Sequence, residues 1–193
     1  MSNLKRVYIF DSDVLIGAHR TQYNNLFCEA FWDWLLAGIN LDIFRTASNV
    51  KKELSNGNDG DFLKEITTKT EYANFWKATD IPSVISVYAE VQNWASEEWA
   101  KDKSGKNNRN VAQIQNALSV FAGNVADPWL VALASDTEKK ENVIAVIVTH
   151  ETSSPSSLSR VMLPDAASSQ GIDTITLFDL LKLHSNKNFA FKL

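Results

Sequence analysis

Along the chain, short uninterrupted apolar runs alternate with longer stripes of helical period. Residues 7–10, "VYIF", are apolar at every position, the pattern of a strand buried on both faces of a parallel sheet. They run straight into Asp11 and Asp13 within "RVYIFDSDVLIG", after which the chain turns apolar again. Over residues 23–38, Leu26, Phe27, Ala30, Phe31, Trp34 and Leu35 keep the spacing of an amphipathic helix, with Gly38 and Asn40 as its stop. "LDIFRTAS" predicts a second strand, Ser48 a cap, and "NVKKEL" a short helix that "SNGNDG" ends. The middle predicts two helices, "DFLKEITTKTEYANFWKA" and "IPSVISVYAEVQNWASEEWA", the second with Pro82 in its first turn. The polar "KDKSGKNNRN" predicts a loop. "ADPWLVALASD" predicts a helix with Asp127 at its entrance and Pro128 at N1, and "NVIAVIVTHE", rich in β-branched residues, predicts a strand. After the serine-rich "TSSPSSLSR", a strand at 175–177 and a helix at 178–183 complete a β–α–β–α alternation. That alternation predicts an α/β fold with a mostly parallel, helix-covered sheet. No linker divides the chain, so residues 1–193 read as a single domain, with 61–109 as a helical extension ending in the basic loop.

Composition refines this picture only in part. With 45% apolar and 22% charged residues, the 193-residue chain has the balance of a soluble globular protein with room for a sizeable core. A net charge of -4 argues against coating nucleic acid by bulk charge, yet leaves room for a local basic groove. Lys101, Lys103, Lys106 and Arg109 form one candidate, either as a solvated loop or as a grip on RNA phosphates. Phe75, Trp76, Trp94 and Trp99 read as core or as a homodimer surface in preference to base-stacking platforms. The lone Cys28 cannot form an internal disulfide and is expected to be a buried thiol in a reducing compartment. No segment offers a secretory apolar core or the roughly 20 apolar residues of a membrane span, so a cytoplasmic location is expected. His19, His150 and His184 show no ligand spacing, and His150 and Glu151, adjacent on a strand, are expected to face opposite ways and not to ligate together.

Four acids stand at element ends: Asp11, Glu53, Asp127 and Glu151. Each has a plain reading. Asp11 or Ser12 can cap the next helix, Glu53 can be a solvated helix residue, Asp127 can be an N-cap, and Glu151 can be a polar strand end. In a parallel α/β sheet, however, residues just after strands and at the starts of helices gather at one edge. Acids converging there repel unless they are protonated or bridged by a cation. Oxygen ligands without a Cys or His cluster favour Mg²⁺ or Mn²⁺, which can activate water and offset charge on a phosphodiester.

In order, "VYIFDSDVLI", "NVKKEL", "ADPWLVALA" and "VIVTHE" resemble the motif series of the PIN-domain (PilT N-terminus) family, which includes VapC-type ribonuclease toxins. The chain is most similar to an uncharacterised bacterial branch with a Glu in the last motif and a long helical middle. The resemblance implies a three-layer α/β/α fold and a metal-dependent endoribonuclease, the toxin of a toxin–antitoxin pair, with RNA as substrate and an antitoxin protein as partner. It places Asp11, Glu53 and Asp127 on the family's acidic positions. Glu151 stands where Asp is commoner, and Asp13 where a small hydroxyl or amide residue is frequent. Asp165, in "MLPDAA", is a further candidate that also reads as a turn aspartate. Two other readings use the same residues: a flap-nuclease-like phosphoesterase acting on DNA, and an inactive scaffold binding a partner protein. Residues 61–100 are expected beside the acidic edge or in a subunit contact, where an antitoxin segment would compete.

Overall fold

Five short parallel strands carry the architecture: β1 (Arg6–Phe10), β2 (Phe44–Ala47), β3 (Trp76–Lys77), β4 (Ile144–Val148) and β5 (Asp173–Ile175), in the order β3–β2–β1–β4–β5. This is a computed structural model, and it describes residues 4–101, 110–123 and 125–193. β1 lies at the centre, pairing through Tyr8 with Phe44 of β2 and from Arg6–Phe10 with Ile144–Val148 of β4. β2 is buried along its whole length, and β1 and β4 are buried at every position after the first. That is why "VYIF" and "AVIV" are continuous apolar runs: both faces of these strands meet helices.

The helices are α1 (Ser12–Arg20), α2 (Glu29–Asn40), α3 (Ser48–Asn56), α4 (Asp61–Ile66), α5 (Pro82–Trp94), α6 (Val111–Phe121), α7 (Asp127–Glu141), α8 (Leu163–Ser169) and α9 (Leu177–His184). With the sheet they form a three-layer α/β/α fold. Phe44 meets Trp34 of α2 at 4.8 Å between ring centroids and Phe10 at 5.1 Å, and the Trp34 indole N–H donates to the His184 carbonyl of α9. α7 packs on β1, β2 and β4 and carries α5 against it. At its far end Glu141 takes both terminal nitrogens of the buried Arg45 guanidinium at 2.6 and 2.8 Å, fixing the long helix relative to β2. Among the described residues, no helix is long and apolar enough to cross a membrane.

Several expected elements shift. The stripe over 23–38 is only partly helical. Asn24 accepts from Leu26 N–H through its side chain and from Phe27 and Cys28 through its carbonyl, closing a turn that leaves Leu26 and Phe27 86% and 72% exposed. Cys28 is therefore half-buried at the start of α2 and not within a helix. Gly38 does not stop α2; it lies inside it, against Phe44. Ser48 does not cap α3 but is its first residue, its hydroxyl 3.1 Å from that of Thr79. "DFLKEITTKTEYANFWKA" breaks into α4, a 3₁₀ turn (Thr70–Phe75) and β3, because Thr67 and Thr68 hydroxyls bond back to the Lys64 and Glu65 carbonyls. α6 was not foreseen, although Ile114, Ala117 and Phe121 line its buried face. The last strand and helix begin earlier than expected, with Thr176 accepting from Asp179 N–H as the cap of α9.

The strand order decides where a site can form. From β1 the chain steps outward to β2 and β3, then returns to the other side of β1 with β4 and β5. Successive connections diverge between β1 and β4, which opens a crevice at their carboxyl ends. Asp11 N–H donates to the Val148 carbonyl at 3.0 Å there, so both strand ends arrive together.

Candidate functional site

A cavity of about 330 Å³ opens in that crevice, lined by Asp11, Asp13, Glu53, Asp127, Glu151 and Arg160, with Ser12, Val125 and His150. Its side chains come from four separate parts of the chain. Asp11 follows β1 and is buried. One of its oxygens accepts from Ser12 N–H at 2.6 Å, the other from the Thr149 hydroxyl at 3.1 Å. It is thus a helix cap and a lining residue at once. Asp13, in the first turn of α1, accepts from His150 N–H at 3.2 Å and ties that helix to the end of β4. Glu53, on α3, accepts from Ala126 N–H at 2.8 Å, just before α7. Asp127 is the first residue of α7 and makes no capping bond there; its carboxylate accepts instead from Arg160 at 3.3 Å, so the plain N-cap reading fails. Glu151 gives one oxygen to Leu163 N–H at 2.9 Å, at the start of α8, and pairs through the other with Arg160.

The remaining candidates lie elsewhere. Asp165 holds the Ser153 hydroxyl at 2.5 Å and Ser154 N–H at 3.3 Å and lines a different cavity beside Trp94 and Trp99. It stands in the first turn of α8, not in a loop, and does not line the acidic cavity. Lys101 pairs with Glu97 one turn earlier, and Lys103, Lys106 and Arg109 lie outside the described residues. Phe75 and Trp99 are buried, with Trp76 and Trp94 packed against the core. His150 and Glu151 face the same cavity, because β4 ends at Val148 and strand alternation no longer applies. Arg160 was missed altogether. It closes a serine-rich stretch with no periodicity, and only the path of the β4–α8 connection brings it to the acids.

Beside this site a second cavity of about 620 Å³ shares Glu53 and is lined by Asn49, Lys52, Asn56, Tyr88 and Trp129. Tyr88 and Trp129 stack with centroids 3.9 Å apart and planes at 19°. A polar helix face and an aromatic pair therefore border the acids on one side.

The electrostatics follow from burial and crowding. Asp11 is pushed well above the usual carboxylate range by burial and then by the nearby Asp13 and Asp127. Burial raises Glu53, opposed by its bonds from Ser12 and Ala126. Burial and Glu151 push Asp127 up to about 6, with Arg160 pulling the other way. These shifts fix a sign. The folded protein holds a proton on Asp127 at a pH where the unfolded chain has lost it, so the group's contribution to stability grows as pH falls from 7 towards 4. A shift of that size corresponds to at most about 3 kcal/mol. The metal-free protein is expected to melt higher at pH 5 than at pH 7.5 in EDTA, and Asp127→Asn to flatten that rise. A melting temperature that falls over this window in wild type would contradict it.

Chemically, the lining offers hard carboxylate oxygens and no thiolate, a donor set that fits Mg²⁺ or Mn²⁺ better than zinc. Among the described residues, no three Asp, Glu, His or Cys side chains are placed to hold one ion as they stand. Arg160 bridges Asp127 and Glu151, while Glu53 and Glu151 each turn one oxygen to a backbone N–H.

A family model described as Domain of unknown function (DUF4411) matches residues 8–188. The chain belongs to the DUF4411 family. No curated protein and no solved structure matches it. The stretch shared with DUF4411 spans every acid of the cavity and Arg160. The site therefore lies wholly within the DUF4411 domain.

Proposed function

We propose that this DUF4411 protein is a metal-dependent endoribonuclease and the toxin of a toxin–antitoxin pair. The observation that supports this reading best is the meeting of Asp11, Glu53, Asp127 and Glu151, distant in sequence, around one cavity at the carboxyl edge of a parallel sheet. The four carboxylates would hold Mg²⁺ or Mn²⁺. Such an ion, when bound, supplies a more acidic water and neutralises charge on a phosphodiester. Thr149 and Ser12 hold the Asp11 carboxylate in place, and Asp13 fixes α1 against the end of β4. The adjoining cavity supports a single-stranded substrate: Lys52 offers a cation for a phosphate, and the Tyr88–Trp129 pair an apolar surface for a base. The toxin assignment rests on the resemblance of the motif series to VapC-type proteins.

Purified protein incubated with single-stranded and structured RNAs and DNAs, in Mn²⁺ or in EDTA, tests the reading. RNA cleavage in Mn²⁺ that EDTA abolishes is expected, together with growth arrest when wild type, but not Asp127→Asn, is expressed in a bacterial host. Cleavage of DNA alone would move the protein to the phosphoesterases acting on DNA. No cleavage of either polymer would leave a binding scaffold.

A further inference from the structure

The Arg160 guanidinium lies between two of the acids assigned to the metal, and its position has a consequence for loading. Nη2 is 3.3 Å from Asp127 Oδ2 and in direct contact with Glu151 Oε1. Both carboxylates are almost fully enclosed, whereas the arginine side chain is 53% exposed. The arginine thus reaches in from solvent to acids that cannot move out to it. It sits in the β4–α8 connection, residues 149–162, which has no regular helix or strand. The connection is held at both ends: Thr149 donates to Asp11, and Glu151 accepts from Leu163 N–H. Asp165 also holds Ser153 and Ser154, and Val161 beside the arginine is buried, so release of Arg160 calls for rotation of its exposed side chain alone.

We propose that Arg160 is a tethered counter-cation that competes with the divalent metal for Asp127 and Glu151, so that loading the site requires it to leave. This rests on the metal-site reading above. Five carboxylates line the cavity, and among the described residues Arg160 is the one permanently charged cation in its lining. In the metal-free protein the guanidinium relieves the repulsion between Asp127 and Glu151. A divalent ion on the same oxygens would stand within a few ångströms of a permanently charged group that cannot shed its proton. The two cations therefore exclude one another, and the free energy needed to release Arg160 lowers the apparent metal affinity. Binding of the ion and release of the arginine become one linked equilibrium.

The test is metal binding, not cleavage. Mn²⁺ titrated calorimetrically into wild type and Arg160→Gln should bind the variant about tenfold more tightly, within the usual range of such couplings. The gain should vanish when Asp127→Asn is added. In EDTA the variant should melt lower than wild type, and saturating Mn²⁺ should raise its melting temperature by more. A second measurement needs no substitution: in wild type the Arg160 Nε–H resonance should move towards that of a solvated arginine as Mg²⁺ saturates the site. Equal or weaker Mn²⁺ binding by Arg160→Gln, or an Arg160 signal unmoved at saturation, overturns the proposal while leaving the nuclease reading intact. Absence of metal binding in both proteins overturns the two together.

Discussion

Asp11→Asn is expected to leave the protein folded and, on the proposed nuclease reading, to lower its cleavage rate about a hundredfold or more, as loss of an anionic metal ligand would. Asparagine keeps an oxygen for Ser12 N–H, and Asn and Asp rank alike as helix caps, so the start of α1 survives. The Thr149 hydroxyl, which donates to the second Asp11 oxygen, can rotate to accept from an amide instead. Removing the charge also relieves a buried carboxylate already crowded by Asp13 and Asp127, so the metal-free protein should melt at or slightly above the wild-type temperature. On the proposed nuclease reading, activity should move the other way, because a cation held there would lose an oxygen anion and a water beside it would be less acidic. The check is a melting curve in EDTA beside an RNA cleavage rate at limiting Mn²⁺. A variant that melts normally and cleaves at the wild-type rate would reduce Asp11 to a helix cap.

Gly38→Ala should damage the fold itself. On helix propensity alone the change would stabilise α2 by about 1 kcal/mol. A Cβ at this position, however, would lie 2.6 Å from Phe44 Cγ, with Cδ2 and Cε2 closer still. Phe44 cannot move aside. It is fully buried and held by Trp34 at 4.8 Å, Phe10 at 5.1 Å and Phe191 at 5.6 Å. Either α2 lifts off the sheet or this aromatic cluster repacks, and overpacking of that kind costs about 1–3 kcal/mol. Chemical denaturation should show an unfolding free energy lowered by that amount, read as a lower midpoint at an unchanged slope. A midpoint at or above wild type would mean that Phe44 has room the structure does not show.

The sequence made the parallel α/β layout legible because buried strands announce themselves: "VYIF" and "AVIV" have no polar position to hide. Asp11 stood out for the same reason, breaking an apolar run where a core strand has no use for charge, and Glu151 because it closes the polar end of the most apolar strand. Glu53 and Asp127 could be placed at the same edge only through the order of elements. What was missed depends on contacts between distant segments. Gly38 read as a stop because its partner, Phe44, lies on another element. Leu26 and Phe27 fitted a helical stripe, since spacing cannot see the Asn24 turn that expels them. Asp165 read as an edge residue, but it lies in the first turn of α8, where it bonds Ser153 and Ser154. Arg160 carries no local signal of any kind. Its place follows from a fourteen-residue connection whose course is set by bonds at its two ends.

Three of the cavity acids share an arrangement: Asp11, Glu53 and Glu151 each spend one oxygen on a backbone N–H at or just before the start of a helix, those of Ser12, Ala126 and Leu163. Each carboxylate is thereby oriented before any ligand arrives, while its second oxygen meets a more easily displaced partner in Asp11, the Thr149 hydroxyl, and in Glu151, the Arg160 guanidinium. A side chain fixed in this way has little conformational entropy left to lose on binding, where a free glutamate would give up about 0.5–1.5 kcal/mol. The same bonds fasten the starts of three helices to the segments that carry the acids. Preorganisation of the site and cohesion of the sheet edge are one property here, and a substitution that loosens one of these bonds would weaken both.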